Sequence, residues 1–193
     1  VAALTAGQVS SLTDAQVQSL GAAQLTTTVT AASKELVAAL ATKVSKLTDT
    51  QLSDLGTDVD LMTATQVGTN LTDSQVRTLT GTQLNALADA KLQAIDVTRL
   101  LTSQVAAITV SKFADQQITD MTAAQIRGLT TTQVGALTGA QIDAISASNL
   151  AELTLTQMAS LTDAQIGDTT RSDWATALTP DQVDVLKSTL LPA

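Results

Sequence analysis

The sequence predicts an all-α protein, a solenoid or superhelix of short helices of about two turns, with one helix for each eight-residue repeat. Three observations predict this fold. An octad of the form L-T-x-x-Q-V-x-x recurs along the chain, its apolar residues alternate in steps of five and three, and its second and fifth positions carry residues that start helices. Octads begin at Leu4, Leu12, Leu20, Leu47, Leu71, Leu79, Leu87, Met121, Leu129, Leu137, Ile145, Leu153, Leu161 and Leu178.

The apolar spacing argues against a strand and against one continuous helix. Positions 1 and 6 of the octad have opposite parity, so they would point to opposite faces of a strand. In a continuous helix eight residues turn through about 800°, which displaces the apolar stripe by about 80° at each repeat. A new short helix in each octad keeps all large apolar side chains on a shared axis. Because helices below about 12 residues are marginal alone, these must stack, and the simplest coil has two octads.

Helix starts are predicted from positions 2 and 5. Thr at position 2 is an N-cap that accepts from the backbone N–H of position 5, and Gln at position 5 can accept from the cap N–H, which makes a capping box. Positions 1 and 6 then form a hydrophobic staple. Pro180 falls at the first helical position, where its missing N–H costs nothing. The capping pairs that we single out are Thr130 with Gln133, Thr138 with Gln141, and Thr179 with Gln182.

The core is predicted to be aliphatic. Apolar residues make up 44% of the 193 residues, which suffices for a continuous core, yet Phe113 and Trp174 are the only aromatic residues. We expect Trp174 to plug the end of the core. In the most regular part of the chain the predicted core residues are Leu129, Val134, Leu137 and Ile142.

The repeats predict one array over 1–193, most regular over 121–168, with no Pro-rich or Gly/Ser-rich linker. The register is irregular in three places, near 28–46, 55–70 and 95–120.

Each irregular place has its own pattern. Within the first, Ser33 to Lys46 is typical of one longer helix capped by Ser33. In the second, one residue is dropped and then regained, with Met62 and Val67 at positions 1 and 6. In the third, thirteen-residue modules replace octads.

Composition excludes several classes of function. The chain has no Cys and no His, so disulfides, thiolate metal sites and cysteine nucleophiles are excluded, and the commonest general base is missing. The net charge of -8 repels nucleic acid and anionic lipid headgroups, so neither is an expected partner. No apolar run approaches the roughly 20 residues of a membrane span, so membrane insertion is not expected.

Candidate sites are few. Asp54, Asp58 and Asp60 form the best acidic cluster for Ca²⁺, but the full twelve-residue calcium loop is absent, and we interpret the cluster as solvated surface. The Gln column could serve as a ligand-binding ladder, although the capping box accounts for it. No catalytic residue and no cofactor is predicted. Acidic residues recur at helix starts, which does not favour the paired carboxylates of a glycoside hydrolase.

The phrases "LTDAQVQS", "LTDSQVRT" and "LTTTQVGA" resemble the tandem octads, LTxxQ followed by V, I or L, of very large secreted or surface proteins of Gram-negative bacteria. Those proteins are adhesin-like and are loosely labelled haem-utilisation or calcium-binding repeat proteins. The resemblance covers most of the chain and implies an extracellular or cell-surface location.

Two functions remain as hypotheses beside the enzyme, which is the least favoured. The first is a structural role, as a rod-like, self-associating repeat subunit of a filament, surface layer or matrix. The alternative is a spacer or ligand-binding stalk of a bacterial adhesin, whose partner is a glycan or another cell-surface ligand.

Overall fold

The protein is all-α, as the sequence predicts. The computed structural model describes residues 8–9, 11–21, 24, 37–167 and 174–190. All regular elements among these residues are helical, and the described part contains no strand, so the predicted class is confirmed. No helix of the described residues combines the length and the apolar character that crossing a bilayer requires.

The chain divides into two compact units, Val1–Arg99 and Leu100–Ala193. The repeat pattern predicts one array over 1–193 without a linker, so the sequence does not signal this division. The boundary falls inside the irregular segment 95–120, where five-residue steps interrupt the octads.

The first unit contains α-helices, 3₁₀ helices and a π-helix among its described residues. The α-helices are Asp14–Gln18, Asp49–Asp54, Asp73–Thr78, Gly81–Ala86 and Asp89–Leu92. The 3₁₀ helices are Ala41–Lys46, Gly56–Leu61 and Val97–Arg99, and the π-helix is Gln66–Asn70.

The second unit is more regular. Its α-helices are Thr102–Ala107, Asp115–Asp120, Ala123–Arg127, Thr131–Ala136, Gly139–Ala144, Ala147–Leu150, Leu155–Met158, Asp163–Gly167, Trp174–Ala177 and Pro180–Leu190, and a 3₁₀ helix spans Val110–Lys112.

Each regular octad forms one short helix, because its ends are encoded in the octad. Thr130 has extended backbone angles and caps Thr131–Ala136, and the next apolar residue, Leu137, returns to extended angles with φ -62° and ψ 142°. Position 1 therefore both ends one helix and precedes the cap of the next. A helix of six residues is about 9 Å long, close to the predicted two turns.

The longer helix predicted over 33–46 is interrupted, so this prediction is wrong in its described part. Residues 33–36 lie outside the described residues, and a 3₁₀ helix spans Ala41–Lys46. The break lies at Ala41, whose φ of 47° is in the left-handed region that an L-residue avoids. The interrupted path still buries three apolar residues on which the helix prediction rests: Val37, Leu40 and Val44.

The repeat that starts at Met62 is one residue longer than an octad, and a π-helix absorbs the extra residue. Leu71, the next position 1, donates its N–H to the carbonyl of Gln66 at 2.9 Å and so closes a turn one residue wider than an α-helical turn. Thr63 still donates its N–H to Gln66 Oε1 at 2.8 Å. The start signal of the repeat is thus kept despite the insertion.

The thirteen-residue modules combine a 3₁₀ helix with an α-helix. Along the chain, Val97–Arg99 precedes Thr102–Ala107, and Val110–Lys112 precedes Asp115–Asp120. Their apolar residues are buried although the octad is lost: Ile95, Leu100, Val105, Ile108, Phe113 and Ile118.

The core consists of the residues at positions 1 and 6. Leu129, Val134, Leu137 and Ile142 are all exposed by 4% or less. Trp174 begins the helix Trp174–Ala177, but its side chain lies outside the described part of the structure.

Within each unit, repeats pack against repeats that lie three to four octads away in sequence. Gly139–Ala144 contacts both Asp115–Asp120 and Asp163–Gly167. Side chains of later repeats donate to backbone carbonyls 25 to 34 residues earlier, as from Gln133 to Ile108 and from Gln51 to Val17. This separation exceeds the two octads of the simplest coil.

The close approach of repeats makes Gly68→Ala a test of the packing. A Cβ at Gly68 would overlap the backbone carbonyl of Ala94 and lie 3.0 Å from Ala94 Cβ. We expect the variant to lose about 1–3 kcal/mol of unfolding free energy, because backbone must move to admit the methyl group. Gly21→Ala is the control, since its nearest contact is a side-chain atom at 3.8 Å. Urea unfolding measures both, and equal stability of Gly68→Ala and wild type would contradict the packing.

Candidate functional site

Glutamine is the polar residue type that is most consistently buried in the described part of this protein. The buried polar residues of the described part are all glutamines, between 2% and 7% exposed: Gln51, Gln66, Gln75, Gln83, Gln104, Gln117, Gln125, Gln133, Gln141, Gln157, Gln165 and Gln182. All of them occupy position 5 of their repeats, and this includes Gln66, which is the fifth residue of the nine-residue repeat that starts at Met62. A buried amide without partners is costly, so each needs hydrogen bonds.

Gln133 shows how these bonds are made. Its Oε1 accepts from the N–H of Thr130 at 2.8 Å, while its own N–H donates to Thr130 Oγ1 at 3.1 Å. Its Nε2 donates to the carbonyls of Val105 and Ile108, both at 2.8 Å. One side chain therefore caps the start of its own helix and the end of a helix in an earlier repeat. We call this arrangement the glutamine bracket.

The bracket recurs with the same kinds of acceptor. In the regular octads the carbonyls belong to position 6 and to the following position 1 of an earlier repeat, at a helix end where carbonyls lack an intrahelical partner. The pairs include Gln51 with Val17 and Leu20, Gln75 with Val44 and Leu47, Gln157 with Ile126 and Leu129, and Gln165 with Val134 and Leu137. The bracket thus joins repeats that are distant in sequence.

The capping residues named from the sequence lie at helix starts. The structure has both hydrogen bonds of the capping box at Thr130 and at Thr138. At Thr179, the backbone N–H donates to Gln182 Oε1 at 2.8 Å, and Gln182 N–H donates to Thr179 Oγ1 at 3.3 Å. These contacts are local, within four residues of sequence.

The donating half of the bracket does not follow from the capping box, although the sequence carries a signal for it. A capping box accepts Glu as readily as Gln at its last position, but only an amide can also donate to a carbonyl. Nearly all octads have Gln at position 5, and the repeat at Ile145 has Asn149, whose Nδ2 donates to the carbonyl of Met121 at 2.8 Å. The preference for donors at position 5 indicates the second contact.

In one repeat, two charged residues make the two contacts that a glutamine makes elsewhere, namely acceptance from the cap N–H and donation to a carbonyl of an earlier repeat. Ala88 occupies the cap position and Lys91 occupies position 5. The carboxylate of Asp60, in an earlier repeat, accepts from the N–H of Ala88 at 2.7 Å. Lys91 Nζ donates to the Asp60 carbonyl and pairs with the Asp60 carboxylate at 3.1 Å. Asp60 and Lys91 together replace one glutamine.

Arg99 makes a second charged contact of this kind. Its guanidinium donates to the carbonyls of Gly68 at 2.5 Å and Leu71 at 2.6 Å, and its Nε pairs with Asp73 at 2.6 Å. Asp96 directly precedes the short 3₁₀ helix Val97–Arg99. Hydrogen bonds from the Thr98 hydroxyl and then the Thr98 N–H to its carboxylate lower the pKa of Asp96.

The acidic cluster considered for Ca²⁺ is not arranged as a metal site. Asp54, Asp58 and Asp60 belong to the described residues, and no group of three or more carboxylates there could hold a metal ion. The carboxylate of Asp60 is instead bonded to Ala88 and Lys91, in a different repeat.

Comparison with known proteins yields no relative. No family model, curated protein or solved structure matches the chain. The resemblance of the octads to arrays in secreted bacterial proteins therefore stays a prediction from the phrases themselves.

Removal of the cap hydroxyl tests the local half of the site. Thr130→Val and Thr138→Val keep the shape of the side chain but remove the oxygen that accepts from the N–H of Gln133 or Gln141. Each variant is expected to lose about 1 kcal/mol of unfolding free energy, and the double variant about twice that. Guanidinium unfolding of the three variants provides the measurement. A double variant as stable as wild type would refute the contribution of the caps.

Proposed function

We propose that this protein has a structural role, as a self-associating repeat subunit of a filament, surface layer or matrix. In this proposal each unit is a superhelical stack of short helices, and the glutamine bracket is the contact that holds successive turns together. Location at the bacterial cell surface or outside the cell is proposed from the resemblance of the octads alone.

The observation that carries the proposal is the use of buried polar groups. Buried polar side chains at enzyme sites are commonly held for chemistry, but here the glutamines of the brackets bond to backbone groups of two helices. The buried glutamine side chains of the described residues thus join one repeat to another. A protein that devotes its buried polar groups to joining like units fits a structural role.

Self-association is proposed from the equivalence of the repeats. Regular octads carry an amide at position 5 and carbonyls at a helix end, as in Gln133 with Val105 and Ile108 and in Gln165 with Val134 and Leu137. A second copy of the chain presents repeats of the same kind, so contacts like those between the repeats of one chain suit contacts between chains.

The test is assembly of purified protein, followed by sedimentation velocity and negative-stain electron microscopy over a range of concentrations. We expect ordered filaments or sheets, in amounts that rise with protein concentration. Monomers at all concentrations would contradict self-association, and binding of such monomers to cells or glycans would favour the adhesin spacer.

A further inference from the structure

Position 7 of the octad, which follows the buried position 6, faces the repeat that packs on it from later in the chain. In the first unit Asp60 contacts Lys91, and Gly68 contacts Ala94. In the second unit, Arg127 forms an ion pair with Glu152. Gly135 lies against the carbonyl of Ser160, 3.1 Å from where a Cβ would be. Position 7 is therefore a contact position between repeats.

The glutamine brackets hold repeats together without deciding which repeats meet. In the regular octads a bracket joins an amide to the carbonyls of a position 6 and the next position 1, as Gln165 does with Val134 and Leu137. A shift of one octad would bring the same groups together again. Another feature must therefore select the observed register.

The pair of Asp60 and Lys91 depends on the register. Ala88 has no hydroxyl to cap its helix, and its N–H is bonded to the Asp60 carboxylate at 2.7 Å. The residues at position 7 of the adjacent repeats are Ser53 and Gly68, and neither carries a carboxylate. A shift by one repeat in either direction would leave Lys91 without its acidic partner.

Gly68 restricts the same register by shape. A Cβ at Gly68 would overlap the carbonyl of Ala94. The position 7 residues of the adjacent repeats are Asp60 and Arg77, whose side chains could not occupy this place. Charge at Asp60 and absence of a side chain at Gly68 therefore favour one and the same pairing of repeats.

We infer that position 7 determines the specificity of stacking, and that Asp60 and Gly68 fix which repeats of the first unit pack together. This inference rests on the proposed stacking of repeats. Buried or partly buried charges are known to specify register where apolar contacts are degenerate, as a single polar residue does in coiled coils.

The test is a charge exchange with a readout of register. The nuclear Overhauser effect between Gly68 Hα and the Ala94 methyl group reports the native pairing, because an ideal Cβ at Gly68 lies 3.0 Å from Ala94 Cβ. We expect Asp60→Lys and Lys91→Asp, each of which opposes like charges, to weaken this signal at least twofold. The double variant, which restores opposite charges, should recover it. Asp54→Lys is the control for net charge, since Asp54 is exposed in the same unit.

Retention of the signal in both single variants would overturn the inference, even if their unfolding midpoints fell, because ordinary loss of stability leaves the native pairing intact under native conditions. Failure of the double variant to recover the signal would overturn it as well. Should a single variant not fold, recovery of the signal in the double variant decides. The measurement is made on monomers at low concentration, so its result is separate from that of the assembly test.

Discussion

Gln165→Met is expected to lower the unfolding free energy by at least about 3 kcal/mol. The methionine side chain has similar length, but it leaves three groups unpaired: the N–H of Thr162 and the carbonyls of Val134 and Leu137. Each buried carbonyl left unpaired costs about 1–3 kcal/mol, and the part-buried N–H of Thr162 adds to this loss. Denaturant unfolding of the purified variant measures the loss.

Gln165→Glu separates the two halves of the bracket. Glutamate still accepts from Thr162, so a capping box alone would tolerate it. A carboxylate facing two carbonyls cannot donate, so we expect a loss comparable to that of Gln165→Met. Gln16→Glu is the matched control and should change stability by less than about 0.5 kcal/mol, because Gln16 is exposed and makes only the cap contacts in the described part. A stable Gln165→Glu variant would show that the donating half contributes nothing.

Leu137→Ala and Ile142→Ala are each expected to cost about 2–5 kcal/mol. Leu137 is 3% exposed and Ile142 is fully buried, so truncation removes apolar contacts and leaves a cavity. Thr132→Ala, at an exposed position between cap and core, should stay within about 0.5 kcal/mol. Equal sensitivity of Thr132 and Leu137 in thermal and denaturant unfolding would show that the assignment of core and surface positions is wrong.

Local features of this protein could be predicted from the sequence because their causes are local. The capping box needs only residues three apart, such as Thr130 and Gln133, and the burial of Leu137 and Ile142 follows from the alternating apolar steps. The class of fold follows from the same short-range signals. These elements need no knowledge of which repeats are neighbours in space.

The remaining features depend on contacts between distant repeats. The acceptors of Gln165 lie 28 and 31 residues earlier, and nothing in a single octad states how many octads make one turn. The break at Ala41 is invisible to apolar spacing, because the interrupted path buries the same side chains as a helix would. The role of Asp60 was likewise hidden, since its partner Lys91 belongs to another repeat.

The direction of the glutamine brackets has a consequence for synthesis. In the pairs formed by Gln51, Gln133 and Gln165, the carbonyls come first in the chain and the amide that bonds to them comes later. The carbonyls at the end of an early helix therefore stay without their glutamine until up to 34 more residues have been synthesised, which takes about 2 to 7 s at ordinary rates of translation. Folding can then advance from the amino-terminal repeats onward, because the glutamine of each new repeat bonds to the free carbonyls of a repeat synthesised seconds before.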